Sequence, residues 1–240
     1  GDARDAVIAK HGAMKDWDVS AVTNMAKLFN GYGDKDGNDI FRTCVLYVED
    51  WDVSSVTDMS DMFQYAEGFN GDLTNFDTSS VTDMSWMFAF AKAFNGDLTN
   101  WDTSSVTDMN GMFAYAKAFN GDLTNFDTSS VTNMRFMFSS AEAFNGDLTN
   151  FDTSSVTDMS YMFSSAHAFK GDGLSNWVTY LVHDMSYMFY LAEAFNADIS
   201  QWDVSDCTNF DDFLTGATSF DNNLCDAGAS PSWKSSGYCD

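Results

Sequence analysis

Positive charge is what this sequence most lacks: Lys and Arg number 11 against 36 Asp and Glu, for a formal net charge of -25. A field of that sign repels phosphate backbones and anionic lipid surfaces, so nucleic acid and membrane-surface partners are set aside. It suits divalent cations, basic partners or a salty medium. No run of about 18 apolar residues occurs, so a transmembrane span is not expected. Histidine is confined to His11, His167 and His183, far apart in the chain, and no Cys or His pair has the spacing of a zinc site. No glycine-rich phosphate loop follows a strand pattern. Catalysis therefore has little to stand on, and the expectation is a protein that is not an enzyme. Proline occurs once, at Pro231, and cysteine four times, at Cys44, Cys207, Cys225 and Cys239. So few cysteines mean that a core, not a disulfide framework, holds the chain together. The sequon N-x-Ser/Thr is absent, so any glycan would be O-linked.

What the sequence has is one sentence written many times. Of its 240 residues 45% are hydrophobic and 16% aromatic, ample for a core and against disorder. "FNGDLTNFDTSSVTDM" at Phe69 recurs almost unchanged at Phe94, Phe119 and Phe144. The aromatic before the recurring Asp falls at Trp17, Trp51, Phe76, Trp101, Phe126, Phe151, Trp177 and Trp202, with intervals of 34, 25, 25, 25, 25, 26 and 25. A fixed period of this kind decides the architecture before any local reading does. Aligned on that aromatic, the chain has about eight turns with columns of Val (Val81, Val106), Met (Met84, Met109), Phe (Phe88, Phe113 and Phe94, Phe119), Ala (Ala91, Ala116) and Leu (Leu98, Leu123). Stacked turns bury such columns continuously.

Within a turn, Met84, Met87, Phe88, Ala91 and Phe94 have the spacing of one side of a short helix. Ser79 or Ser80 with Asp83 resembles its N-cap, and Asn95-Gly96, a pair that tolerates positive φ, its stop. Asp97 to Trp101 reads as a strand, and Val81-Thr82-Asp83 as a second short extended piece. The fold class expected is an α/β repeat: a right-handed, leucine-rich-repeat-like solenoid with a parallel sheet on one face and short helices on the other. Residues 1–16 form an N-terminal cap, with a short helix over 5–11; 17–224 form the solenoid, with an insertion at about 30–45; and 225–240 form a C-terminal cap. Cys225 and Cys239 there would close a loop around Pro231, an entropic gain of about 3 kcal/mol for some 15 residues. Cys44 and Cys207 occupy apolar columns and read as buried thiols. This usage fits a secreted protein better than a cytosolic one.

"WDVSSVTDMSDMF" followed by "FNGDL", repeated at 25, resembles the BspA-type leucine-rich repeat surface proteins, a family known from bacterial lipoproteins and from secreted proteins of marine algae. The likeness runs from Trp17 to about Leu224 and extends to the closing "NLC" with a further Cys fourteen residues on. It departs at "WVTYLV" from Trp177, and between Ala26 and Asp50. The resemblance implies an extracellular or cell-surface protein used for adhesion or assembly, with a protein, a glycan or further copies of itself as partner, and no common reaction.

Three Asp columns run along the coil: Asp52, Asp77, Asp102, Asp127 and Asp152; Asp58, Asp83, Asp108 and Asp158; and Asp72, Asp97, Asp122, Asp147 and Asp172. Like residues in stacked turns lie about 4.8 Å apart, where two carboxylates repel by roughly 1 kcal/mol even in water. Either each Asp satisfies backbone N–H groups at a bend, or one column, chiefly Asp72, Asp97, Asp122 and Asp147, gathers Ca2+ or a basic partner. Asp34, Asp36 and Asn38 have the oxygen spacing that opens an EF-hand loop, although Asp39 and Val45 fall where Gly and Glu are needed. A calcium-dependent binding module is thus an alternative. The column Thr74, Thr99, Thr124 and Thr149 raises a further one, an ice-binding surface. The eleventh position of each turn varies, and Trp86, Phe136, Tyr161 and Tyr187 there, with Arg135 beside them, form either an aromatic stripe for carbohydrate or protein contact or packing between neighbouring helices.

Overall fold

The computed structural model describes residues 10, 12–32, 42, 46–226, 228–236 and 238–239. Of the expected helix over 5–11 only Lys10 is described, and it is helical; the candidate ligands Asp34, Asp36 and Asn38, and Cys44, lie outside the described residues. Successive repeats stack in register. Isolated parallel bridges link Asn24, Asp58, Asp83, Asp108, Asn133, Asp158, Asp184 and Asn209, each to the next.

The α/β solenoid expected from the sequence is overturned. Among the described residues there is no strand and hence no sheet, and helix is confined to Lys10, two 3-10 turns, Met14–Asp16 and Leu174–Asn176, and one short α-helix, Pro231–Ser235. The run Met109–Ala116, expected as a helix, is a succession of tight turns. Its backbone N–H groups alternate between two destinations. Those of Met109, Gly111, Phe113 and Tyr115 donate to Asn133, Arg135, Met137 and Ser139 in the next repeat, at 2.7–3.2 Å. Those of Met112, Ala114 and Ala116 donate three residues back, to Met109, Gly111 and Phe113. A helix would spend every N–H within its own turn and leave neighbouring repeats joined by side chains alone; the observed path bonds both ways, so no buried N–H in the run is stranded. The alternation requires left-handed backbone at two residues four apart in each repeat: φ is +57° at Trp86 and +61° at Phe90, +62° at Gly111 and +59° at Tyr115.

The expected strand Asp97–Trp101 is likewise a turn, closed by the Trp101 N–H on the Leu98 carbonyl at 3.1 Å. Val81-Thr82-Asp83 comes nearest to a strand, since Thr82 and Met84 donate to Thr57 and Asp108 on opposite sides, but one bridge per repeat makes no ladder. Gly96 ends no helix and is not among the positive-φ glycines. A Cβ there would sit 2.9 Å from Cε2 of Phe94, two residues earlier. Glycine is required because the ring folds back over the backbone.

The core is a double ladder of phenylalanines. Phe88 stacks on Phe94 of its own repeat at 3.9 Å and on Phe113 of the next at 5.7 Å, while Phe94 stacks on Phe119 at 5.9 Å. Met, Val and Leu columns flank it, all buried, and each such side chain contributes about 1.5–3 kcal/mol by burial. Trp in the first column adds a polar bond that Phe cannot: Nε1 of Trp101 and Trp202 donate to the carbonyls of Leu73 and Leu174 one repeat earlier. A buried threonine column runs beside it, Thr78, Thr103 and Thr128 donating to the carbonyls of Asp102, Asp127 and Asp152 at 2.8–3.0 Å. At the C-terminal end Trp233, fully buried, packs on Phe210 and Phe213. Cys225 and Cys239 are joined in a disulfide, and Cys207 is a buried free thiol, as its apolar column predicts.

Candidate functional site

Each acidic column has its own local chemistry. Asp52, Asp77, Asp102 and Asp127 accept the N–H and hydroxyl of the Ser two residues on, at 2.9–3.1 Å and 2.6 Å. Asp72 and Asp97 do the same with Thr74 and Thr99, at 2.9 and 2.7 Å. Asp147 takes both groups of Thr149, and Asp122 the N–H of Thr124. These are Asx turns, in which a carboxylate supplies the acceptor that the turning backbone lacks. The hydroxyl of Ser54 holds Asp52 below the usual carboxylate range; the N–H of Thr99 does so for Asp97, and the hydroxyl of Thr74 for Asp72. The candidate Asp residues thus lie exposed and the Thr residues exposed or half-buried, paired with each other through one carboxylate oxygen of each Asp.

The third column is half-buried and mixes acid with amide. Oδ1 of Asp58, Asp83, Asp108 and Asp158 accepts an N–H two residues on. Asn24, Asn133 and Asn209 donate to Asp58, Asp108 and Asp184 in adjacent repeats at 2.8, 3.4 and 3.2 Å. Where three acids adjoin, burial pushes the Asp108 carboxyl up, with Asp83 adding to it. A further ladder escaped the sequence reading: the side-chain oxygens of Asn70, Asn95 and Asn120 accept the N–H of Asn95, Asn120 and Asn145, each at 2.8 Å. Its signal was the recurrence of Asn-Gly in the central repeats, at Asn70, Asn95, Asn120 and Asn145, which a turn alone does not demand.

The variable aromatic residues stack from repeat to repeat in two rows. Phe136, Tyr161 and Tyr187 stack at 4.6 Å spacings, and Tyr65, Phe90 and Tyr115 at 4.4 Å. Both rows stand at the positive-φ positions, four residues apart, which turn these side chains outward and leave them partly or fully exposed. The sequence showed the first row; the second was visible only as another variable column. Gly111 interrupts the first row, its Cα lying under the ring of Trp86, which reaches across to Phe136 at 5.8 Å. Between the rows opens a groove of about 500 Å³ lined by Asp61, Gln64, Tyr65, Trp86, Tyr115 and Phe136 among others. The Arg135 guanidinium lies over Phe136 at 4.7 Å and Tyr161 at 5.8 Å.

Among the described residues, no group of three or more His, Cys, Asp or Glu is placed to hold a metal ion, and no helix is long and apolar enough to cross a membrane. His167 lies 3.8 Å from Glu193 and His183 3.3 Å from the Asp206 carbonyl, in separate places.

Stacking in register and an outer surface of repeated acidic turns define a repeat protein. A family model described as "Mycoplasma protein of unknown function, DUF285" matches residues 5–95, 35–151 and 121–227, and the chain belongs to this family, that of the BspA-like repeats. No curated protein and no solved structure matches the chain.

Proposed function

We propose that this chain is a BspA-type surface protein, extracellular or at the cell surface, that mediates adhesion or assembly without catalysing a reaction. The observation that carries this reading is the pair of exposed acidic columns. The turns they close hold Asp52, Asp72, Asp97, Asp102, Asp122, Asp147 and Asp152 below the usual carboxylate range, and among the described residues Arg42 and Lys92 pair instead with Glu67 at 2.6 and 3.0 Å, and Lys117 with Glu142 at 2.7 Å. An array of outward carboxylate oxygens repeating at about 4.8 Å is a surface for multivalent contact with a protein or glycan, or with further copies bridged by one. Repetition itself supports the reading, because a reaction centre needs unlike groups converging on one place, whereas avidity grows with equal ones. Labelling intact cells of the source organism with a membrane-impermeant amine reagent tests it. Recovery of the labelled protein is expected; labelling only after lysis would sink the proposal.

A further inference from the structure

The groove between the two aromatic rows holds more than apolar surface. Asp61 lines it at the position where the next repeat carries Trp86, and its carboxylate is mostly covered, the side chain being 18% exposed. The cation facing it is Lys27, at 4.0 Å and itself 69% exposed, too far for a hydrogen bond. Among the described residues no side chain donates one. Burial pushes this carboxyl above its usual range, with Lys27 opposing and Asp83 and Asp58 adding. A covered carboxylate beside ring faces is the arrangement that recognises an organic cation: the ring quadrupole attracts the charge and the acid neutralises it.

The chain displays that chemistry two repeats along the same row, where the Arg135 guanidinium lies over Phe136 and Tyr161. The row's rings therefore accept a guanidinium. Gly111 carries no ring, so the Trp86 ring lies against that glycine and, with Tyr115 and Asp61, lines the groove. With a net charge of -25 the whole molecule draws cations toward this opening.

We propose that the Trp86–Asp61 groove is a cradle for an arginine side chain of a basic protein partner. The guanidinium stacks on Trp86 and donates to the Asp61 carboxylate one repeat away, while the acidic columns on the other faces supply attraction at longer range. The proposal rests on the surface-adhesion reading only for where such a partner would be met; the cradle is a property of the chain in solution.

The test is titration of the full chain with an acetylated, amidated Gly-Arg-Gly-Arg-Gly peptide at 150 mM salt, followed by the indole N–H resonance of Trp86 and the amides of Asp61 and Ala114. Shifts concentrated on these groups are expected. Trp86→Ala should weaken binding about fivefold, the scale of a half-covered cation–π contact, and Asp61→Asn about threefold. Asp147→Asn removes the same charge from an exposed column and should change affinity far less than Asp61→Asn. Asp61→Asn leaves the ring packing in place, so it decides the matter should Trp86→Ala unfold the repeat. Shifts spread evenly along the acidic columns, or equal losses from Asp61→Asn and Asp147→Asn, would overturn the proposal. So would maltohexaose moving the Trp86 resonance where the peptide does not, since that would make the groove a glycan site.

Discussion

Gly96→Ala tests why every central repeat carries Asn-Gly. A helix C-terminus would need glycine for its left-handed φ, but Gly71, Gly96, Gly121 and Gly146 are not among the positive-φ residues. The obstacle is a ring. A Cβ at Gly96 would meet Cε2 and Cζ of Phe94 at 2.9 and 3.2 Å, with the Gly71 carbonyl oxygen 3.5 Å away. Phe94 cannot yield, held as it is by Phe88 at 3.9 Å on one side and by Phe69 and Phe119 at 5.9 Å above and below. Overpacking of this kind costs about 1–3 kcal/mol, and at 2–4 °C per kcal/mol for a chain of this length the expected loss is about 2–12 °C in Tm. Thermal and guanidinium unfolding of Gly96→Ala, Phe94→Leu and the double variant closes a thermodynamic cycle. Leucine lacks the ring edge that the methyl would strike, so the glycine substitution should cost about 1–2 kcal/mol less in the Phe94→Leu background, a coupling typical of touching residues. If Gly96→Ala costs the same in both backgrounds, or costs nothing, the ring is not the reason for the glycine.

Asp83→Asn should stabilise the protein at neutral pH by roughly 0.5–1 kcal/mol, the repulsion between carboxylates about 4–5 Å apart in a water-like medium, because Asp83 helps to raise both Asp61 and Asp108. A carboxyl raised in the folded state favours folding at low pH and opposes it as pH rises from the ordinary 3.8 through the raised value, so the gain of Asp83→Asn over the parent should vanish in acid; two-dimensional NMR titration should show Asp108 moving down. The exposed columns have the opposite sign. With Asp97 depressed, its contribution is present above 3.8 and lost as pH falls through the lowered value, so Thr99→Val, which removes one of its two donors, should move the Asp97 titration back toward 3.8. Burial pushes the Cys207 thiol to about 11, and iodoacetamide at pH 8 should leave it unmodified in the folded protein and alkylate it in denaturant; peptide mapping that finds native alkylation would show the end of the stack to be open.

Much of the core was legible in the sequence because it depends only on period. Once residues 25 apart lie side by side, the Met84, Phe88, Phe94 and Leu98 columns must be apolar, whatever path the backbone takes between them, and all are buried. The disulfide Cys225–Cys239 was legible for a similar reason, two cysteines flanking the chain's single proline after the repeat decays. The path itself was misread. Met84, Met87, Phe88 and Ala91 fit a helix of 3.6 residues per turn, and equally a run of tight turns whose outward residues fall four apart, at Trp86 and Phe90. Over eight residues the two periods separate by less than one position, so hydrophobicity cannot choose between them. Nor did propensity help, since bulky aromatic residues are rare at positive φ.

What tolerates them there is the stack. Left-handed backbone costs an L-residue roughly 1–2 kcal/mol, yet at Phe90 the N–H reaches the Ala114 carbonyl at 2.7 Å and the ring stacks on Tyr65 and Tyr115 at 4.4 Å. Each return exists only when the next repeat is in place. A single repeat would therefore not hold this path, and the strain is distributed along the column instead of being met within one turn. The same geometry makes the surface. Residues at positive φ point out of the stack, so the positions that the fold forces into left-handed backbone are the ones free to vary, from Asp61 through Trp86 and Gly111 to Phe136 and Tyr161. The constant part of the repeat builds the column and its acidic turns, while recognition is left to the two rows that break the local rule. The groove lies between those two rows, lined from one by Asp61, Trp86 and Phe136 and from the other by Tyr65, Phe90 and Tyr115.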